Sequence, residues 1–243
     1  MNKEEFILCC DKLNIKINEE LYSKFFTYFE MLVEWNNKFN MTAILEEKDV
    51  FLLHFYDSLC LSKTVNLFEK KSLCDFGTGA GFPGLPIAIV FPKINVTLVE
   101  SNQKKCMFLN AVKNKLNLKN VEIINDRIEN YSLSEREKFD IVTCRAVTSI
   151  PMIIEMATPL VKVNGLLAPL KSNCDEELVK YSYLEKEIGI RLIKKEVYIL
   201  PINAAYRVIP IYKKDKITDK KYPRSYSSIL KTYKTNKKDW KKW

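Results

Sequence analysis

Residues 72–86 have the sequence SLCDFGTGAGFPGLP, and they hold four of the six glycines in this chain of 243 residues. The apolar start of this stretch predicts the end of a buried strand, and the apolar residues 85–90 predict a short helix. Glycines this close together indicate a backbone that turns sharply and approaches another group closely. A strand, a glycine turn and a helix in this order are typical of the ligand-binding corner of a Rossmann-like sheet.

The chain around this stretch divides into three regions. The sequence of residues 1–65 predicts helices. One of them is capped by Asn18. Another covers about residues 47–62 and carries His54 and Asp57 on one face. In residues 66–213 strands and helices alternate, and the last two strands follow each other directly. This order predicts an α/β domain with a mostly parallel sheet of seven strands. The strands are predicted at 73–76, 95–100, 121–124, 139–143, 166–170, 191–200 and 205–212.

Residues 214–243 form the third region, which carries the excess positive charge. From residue 213 onward there are twelve Lys or Arg and three Asp, whereas the other 212 residues carry 27 charges of each sign. A basic tail on a neutral body indicates a polyanionic partner, and its aromatic residues can stack on bases. We therefore predict that the tail contacts RNA and leaves cofactor binding to the body; a solvated tail without a partner is the alternative. The aromatic residues are Tyr222, Tyr226, Tyr233, Trp240 and Trp243.

Several classes of protein are disfavoured by what the sequence lacks. There is one histidine, and the seven cysteines form no C-x-x-C motif, so we expect no metal site. No apolar run approaches about 20 residues and the N-terminus does not resemble a signal peptide. We therefore expect a cytoplasmic protein without membrane contact, and we expect a monomer.

Polar residues follow the predicted strands at the edge where Rossmann-like proteins bind ligands. Glu100 lies 23 residues after Gly77, a distance at which an acid reaches the ribose hydroxyls of NAD or of S-adenosylmethionine. Asp75 would repel a pyrophosphate and attract a sulfonium and an ammonium group, which favours a methyltransferase. An NAD-binding oxidoreductase and a non-catalytic RNA-binding protein with a nucleotide pocket remain alternatives.

The stretch DFGTGAGFPGLPIAI (75–89) resembles the glycine loop of the small-subunit ribosomal RNA methyltransferase G family, also called glucose-inhibited division protein B. The resemblance implies a Rossmann-like class I methyltransferase fold with a helical N-terminal extension and a basic C-terminal tail. It also implies transfer of a methyl group from S-adenosylmethionine to N7 of a guanine in 16S rRNA, or in a small ribosomal subunit precursor. The other matching segments are WNNKFNMTAI (35–44), HFYDSL (54–59), LVES (98–101), DRIENY (126–131), FDIVTCRAV (139–147), LKS (170–172) and KKYPR (220–224).

The resemblance also implies the site residues. No residue is assigned to chemistry beyond Arg145, because a guanine N7 carries a free lone pair and needs only to be aligned with the methyl group. The candidates for contact with RNA are His54, Lys171 and Arg224. The predicted cofactor contacts are Gly77, Gly79, Phe82, Glu100, Ile128, Glu129 and Arg145.

This chain departs from the family at two places. Glu100 stands where many members have Asp, and a longer acid can still reach a ribose diol. After KYPR the family continues into a Gly-Thr-Pro-Asn segment, whereas this chain continues from Ser225 with SYSSIL and a long extension rich in Lys and Tyr. How the tail holds RNA is therefore left open by the resemblance.

Overall fold

The prediction of a mostly parallel sheet of seven strands is confirmed by a computed structural model, which describes residues 1–69 and 71–233. Within these residues the strands lie in the order β3-β2-β1-β4-β5-β7-β6. Strands β1 to β5 are parallel to one another, whereas β7 runs antiparallel to both β5 and β6. The strands are β1 (Ser72–Phe76), β2 (Asn95–Val99), β3 (Val121–Ile124), β4 (Phe139–Thr143), β5 (Val161–Leu167), β6 (Ile190–Ile199) and β7 (Tyr206–Lys214).

Helices cover the sheet and form the N-terminal extension. The predicted cap at Asn18 is present, because its side chain accepts a hydrogen bond from the first turn of the helix Glu19–Asn36. Asn102 caps the helix Gln103–Lys115 in the same way. The helix predicted at 47–62 changes type along its length and includes a π-helical segment, Val50–Tyr56. The α-helices are α1 (Lys3–Asp11), α2 (Glu19–Asn36), α3 (Glu47–Asp49), α4 (Asp57–Leu59), α5 (Gly84–Val90), α6 (Gln103–Lys115), α7 (Ile128–Ser134), α8 (Ile150–Ala157), α9 (Asp175–Lys180), α10 (Tyr183–Ile188) and α11 (Tyr226–Tyr233).

The N-terminal extension packs on the sheet through aromatic side chains. Phe55 lies 5.0 Å from both Phe25 and Phe51, measured between ring centroids, and all three are buried. From α2, the hydroxyl of Tyr28 donates to the carbonyl of Ala80 in the glycine loop. Ring contacts of this kind add to the free energy of apolar burial. The extension therefore shares one hydrophobic core with the sheet, and Tyr28 stabilises the glycine loop by its hydrogen bond to Ala80.

Residues 215–233, called the strap here, return from the end of β7 across the face of the sheet that carries α8. The chain enters the strap at Lys214, which is fully buried and donates to Glu137 and to the carbonyls of Thr158 and Val161. Burial lowers the pKa of this ammonium group. The sequence predicts a separate tail from residue 214; the structure instead packs residues 214–233 into the body, because their polar groups find partners there.

Arg136 and Glu155 hold the strap in place. Arg136 donates to the carbonyls of Thr218 and Tyr222. Glu155 is fully buried on α8, and its carboxylate accepts three hydrogen bonds from Arg224, from the backbone N–H, Nε and Nη2, at 2.7–3.0 Å. A guanidinium that meets a carboxylate in this way is a strong and geometrically specific pair. Arg224, a predicted RNA contact, is thus engaged inside the protein, and Trp240 and Trp243 lie outside the described residues.

Replacing Arg224 with Met is expected to lower the free energy of unfolding by about 3 kcal/mol, because a buried carboxylate then loses its partner. Urea denaturation measures this change. The matched control is Lys38→Met, which breaks an exposed ion pair with Glu34 and should cost less than about 0.5 kcal/mol. Equal stabilities of the two variants would contradict the anchoring role of Arg224.

Candidate active site

The carboxyl group of Asp75, at the end of β1, lies fully buried behind the glycine loop. Its Oδ2 accepts hydrogen bonds from the Thr78 hydroxyl at 2.6 Å and from the Gly84 N–H at 2.8 Å. Burial raises the pKa of Asp75 to about 7, although the hydrogen bonds from Thr78 and Gly84 oppose this shift. The sequence suggested that Asp75 attracts a bound cation. In the structure its direct partners belong to the loop, so it fixes the loop's shape.

Glu100, at the end of β2, connects the glycine loop to the next loop. Its Oε2 accepts from the Gly79 N–H at 2.9 Å, and its Oε1 accepts from the Asn102 N–H at 2.8 Å. Gly77 and Gly79 have φ angles of +61° and +62°, in the left-handed region that favours glycine. The carboxylate therefore stabilises a loop conformation that only these small residues adopt readily.

A cavity of 170 Å³, called the glycine-loop cavity here, opens above the ends of β1 and β2. Three of the predicted cofactor residues line it, namely Gly77, Ile128 and Glu129. Glu100 stands between two lining residues, Val99 and Ser101. The structure thus gathers the ends of β1, β2 and β3 around one space, as the sequence predicts. Other residues in its wall are Asp126, Arg127, Val147, Thr148, Met156 and Tyr226.

A second cavity, of 390 Å³ and called the arginine cleft here, contains three of the other predicted site residues, His54, Arg145 and Lys171. The Arg145 guanidinium donates to the Leu53 carbonyl at 2.7 Å and to Nδ1 of His54 at 2.9 Å. It also lies 3.4 Å from the Asp57 carboxylate. Arg145 therefore joins the end of β4 to the N-terminal extension.

His54 is neutral in this arrangement. Burial, together with the neighbouring Arg145, lowers the pKa of its imidazole to about 3. Because a guanidinium only donates, Nδ1 must accept, and the proton lies on Nε2. That nitrogen is 2.9 Å from Oγ1 of Thr42, which it reaches as a donor. Both ring nitrogens are therefore occupied, and His54 orients Arg145.

Phe82 lies with the arginine cleft residues and does not line the glycine-loop cavity. Its ring stacks on the His54 imidazole with 4.4 Å between centroids, and Cζ of Arg145 lies 5.1 Å from its centroid. Two of the predicted cofactor residues, Phe82 and Arg145, therefore belong to this second group of side chains. The sequence could not separate the two groups, since both follow strands at one edge of the sheet.

The loop of residues 145–148 separates the two cavities. Arg145 and Ala146 line the arginine cleft, whereas Val147 and Thr148 line the glycine-loop cavity. Ala146 has a φ of +54°, an uncommon value for a residue with a side chain, which turns the chain between the two sides. Lys171 donates from Nζ to the Thr148 carbonyl at 2.9 Å, and burial lowers the pKa of this ammonium group. A ligand in one cavity therefore lies one loop away from a ligand in the other.

Two residues in these cavities were missed by sequence reasoning. Arg207 of β7 lines the arginine cleft and donates from Nε to the Asp57 carboxylate at 3.1 Å. Tyr226 of the strap lines the glycine-loop cavity, although the tail was predicted to leave that site to the body. The departure from the family sequence after KYPR was the signal that could have drawn attention to Tyr226.

The described residues contain no group of three His, Cys, Asp or Glu side chains placed to hold a metal ion. Among the helices in the described ranges, none combines the length and the apolar character needed to cross a membrane.

Comparison with known proteins finds similar sequences over most of this chain. Residues 21–200 match the model of the family described as rRNA small subunit methyltransferase G (GidB). Proteins named ribosomal RNA small subunit methyltransferase G from Bacillus velezensis and Listeria monocytogenes are 41% and 39% identical to this chain over 227 residues. Each alignment covers 92% of this chain and 95% of the relative.

Solved structures show the same fold at low sequence identity. A SAM-dependent methyltransferase from Aquifex aeolicus gives a TM-score of 0.51 at 20% identity, covering 69% of this chain and 94% of that one. A 16S rRNA (adenine(1408)-N(1))-methyltransferase mutant from Catenulisporales acidiphilia also gives 0.51, at 14% identity, covering 63% and 89%. At these identities the likeness establishes a Rossmann-like fold and nothing finer.

The buried carboxyl of Asp75 should make stability depend on pH. Its pKa of about 7 in the folded protein lies above the ordinary 3.8, so between these values the folded chain holds a proton that the unfolded chain has lost. The contribution of this group to stability is therefore complete below pH 4 and lost as the pH rises towards 7. Urea denaturation at pH 4.5 and 7.5 measures it.

In the Asp75→Asn variant this part of the pH dependence should disappear, because an amide does not titrate in this range. Glu176→Gln, which changes an exposed carboxylate, is the control and should keep the pH dependence of the unchanged protein. If Asp75→Asn follows the unchanged protein across the pH range, Asp75 is ionised in the fold and the assignment is wrong.

Glu100→Gln should weaken binding of S-adenosylmethionine by about tenfold or more. The variant loses the charge on the group that is predicted to accept a hydrogen bond from a ribose hydroxyl, and such charge-assisted bonds contribute about 1.5–3 kcal/mol. The Gly79 and Asn102 N–H groups both donate to the Glu100 carboxylate. The NH₂ group of a glutamine cannot accept, so one of these two hydrogen bonds is also lost. Calorimetry measures the affinity. Glu122→Gln, at an exposed acid of β3, is the control and should bind as the unchanged protein does.

Proposed function

This chain belongs to the rRNA small subunit methyltransferase G family, and from that membership we propose that it methylates N7 of a guanine in 16S rRNA. S-adenosylmethionine is the cofactor of the reaction. The observation that carries the proposal is the loop of residues 145–148, which has a cavity on each side. Such a loop allows a cofactor and a base to approach one another from opposite sides.

The glycine-loop cavity suits S-adenosylmethionine by the chemistry of its wall. The carboxylates of Glu100, Asp126 and Glu129 lie in or beside this wall, and they favour a ligand that carries positive sulfonium and ammonium groups. Ile128 and Val99 offer apolar surface to an adenine ring. A pyrophosphate would meet these carboxylates as like charges. The oxidoreductase that the glycine spacing alone allows is therefore the weaker hypothesis.

The arginine cleft suits an RNA segment, since Arg145, Lys171 and Arg207 line it. Arginine often binds guanine through O6 and N7 together. In this reaction N7 must stay free, so the proposed partners of Arg145 are a phosphate or O6 alone. The neutral His54 and the Asp57 carboxylate hold the guanidinium in one orientation. Arg145 is accordingly proposed as a substrate-positioning residue.

When bound, S-adenosylmethionine would supply a methyl group on a positively charged sulfur: the N7 lone pair of guanine bonds to the methyl carbon as the carbon–sulfur bond breaks, neutral S-adenosylhomocysteine leaves, and the base takes the positive charge without losing a proton. The chain's own residues then have three tasks, which are to bind the two reactants, to align them and to exclude water. Loop 145–148 does the aligning. We place the reaction in the cytoplasm, on 16S rRNA or a small-subunit precursor, with the protein acting as a monomer.

A direct test incubates the protein with S-adenosylmethionine and small ribosomal subunits that lack the modification. Mass spectrometry of the digested RNA should then detect 7-methylguanosine. Binding of S-adenosylmethionine without any methylated product would favour the non-catalytic RNA-binding alternative. Calorimetric binding of NADH in place of S-adenosylmethionine would favour the oxidoreductase.

Arg145→Lys is expected to lower kcat/KM for the RNA by about 30-fold, or about 2 kcal/mol, because one ammonium group cannot replace a planar guanidinium fork. The affinity for S-adenosylmethionine should stay within twofold, since Arg145 lines the arginine cleft. Arg191→Lys, at an exposed ion pair with Asp215, is the control. A loss confined to cofactor affinity would move Arg145 to the cofactor site.

A further inference from the structure

We propose that Tyr226, at the start of α11, is a cofactor-binding residue whose ring closes the adenine end of the glycine-loop cavity. This inference rests on the proposed function, because it takes S-adenosylmethionine as the ligand. Tyr226 lines the cavity together with Gly77 and with residues 126–129. Tyr226 as a whole is 37% exposed, so the residue lies at the surface of the protein while it lines the cavity.

The backbone that carries Tyr226 is held by contacts on both sides of this residue in the sequence. Two residues before it, Arg224 makes its three hydrogen bonds to the buried Glu155. Further along the helix, Ile229 is fully buried and Tyr233 packs edge-on against Tyr181 with 5.8 Å between ring centroids. A side chain held in this way is ordered before a ligand arrives, which lowers the entropic cost of binding.

A chain of contacts connects the ring to a predicted cofactor residue. Cζ of Arg127 lies 4.7 Å from the centroid of the Tyr226 ring, within the range of a cation–π contact. The same guanidinium donates from Nε to Oε1 of Glu129 at 2.5 Å. The strap therefore contacts the segment after β3 on the side where Ile128 and Glu129 face the cavity.

The location within the cavity indicates which part of the ligand the ring meets. Gly77 and the carboxylate of Glu100 lie at the ends of β1 and β2, where the acid reaches the ribose. Residues 126–129 follow β3, the next strand outward, so the adenine extends towards them from the ribose. Tyr226 contacts Arg127 on that side, and a phenol ring offers a flat apolar face on which a base can stack.

Tyr226 lies beyond residues 21–200, the part of the chain that matches the family model. It is the first residue of α11, so the strap presents an aromatic side chain where its helix begins. The sequence predicts that the tail contacts RNA and leaves cofactor binding to the body; under the present proposal residue 226 of the tail contributes to the cofactor site.

Calorimetry with S-adenosylmethionine tests the proposal in Tyr226→Ala and Tyr226→Phe. Loss of the ring should weaken binding about tenfold, which is about 1.4 kcal/mol, whereas Phe should stay within twofold because it keeps the stacking face. The control is Tyr183→Ala, an exposed tyrosine outside the lining of the cavity, which should bind as the unchanged protein does. Tyr226→Leu replaces the alanine variant should that one melt early in the absence of ligand.

Methylthioadenosine, which carries the adenine and ribose but no amino acid, makes the test more specific. Its affinity should fall in Tyr226→Ala by the same factor as that of S-adenosylmethionine, since the lost contact is at the adenine end. Unchanged affinity of either ligand in this variant would overturn the proposal. Failure of the unchanged protein to bind S-adenosylmethionine would instead reject the proposed function, so the two failures can be told apart.

Discussion

The buried carboxyl group of Asp75 is the point on which the site depends. It closes the glycine loop by accepting from a hydroxyl and from a backbone N–H, and it does so in full exclusion from water. A Cβ at Gly84 would lie 2.9 Å from its Oδ2, so only glycine permits this approach. On the other side of the loop, a Cβ at Gly77 would lie 2.7 Å from the side chain of Val147. The backbone of the glycine loop at Gly77 is thus packed against the side chain of Val147 in loop 145–148. The conformation of each loop therefore restricts the conformation of the other.

The two cavities differ in charge in a way that suits their proposed ligands. Two carboxylates, Asp126 and Glu129, line the glycine-loop cavity together with one cation, Arg127. Three cations, Arg145, Lys171 and Arg207, line the arginine cleft together with the Asp57 carboxylate. Each cation of the cleft is restrained by neighbours, so little side-chain entropy is lost when a polyanion binds.

Most of the fold could be predicted from the sequence because its signals are local. Apolar runs marked the strands, and the cap at Asn18 marked where a helix begins. The glycine spacing and Glu100 identified the glycine-loop side of the site. The arginine cleft was harder to predict, since Arg145 donates to the backbone carbonyl of Leu53, which is 92 residues away. Every residue has a backbone carbonyl, so the sequence does not indicate which one Arg145 binds. The packing of the strap was also missed, because the two side chains that anchor it, Glu155 and Arg224, are 69 residues apart in the sequence.

The place of β7 in the sheet has a consequence for how the protein is made. Although β7 is the last of the strands in the described residues, it lies between β5 and β6 and pairs with both. A growing chain that has not yet reached residue 206 leaves the edge of β5 open, and β6 has no neighbour in the sheet. Open strand edges recruit other chains, and chains fold from the N-terminus as they are synthesised. Premature termination before β7 therefore yields a product prone to aggregation, because the sheet is complete only once residues 206–214 have been synthesised.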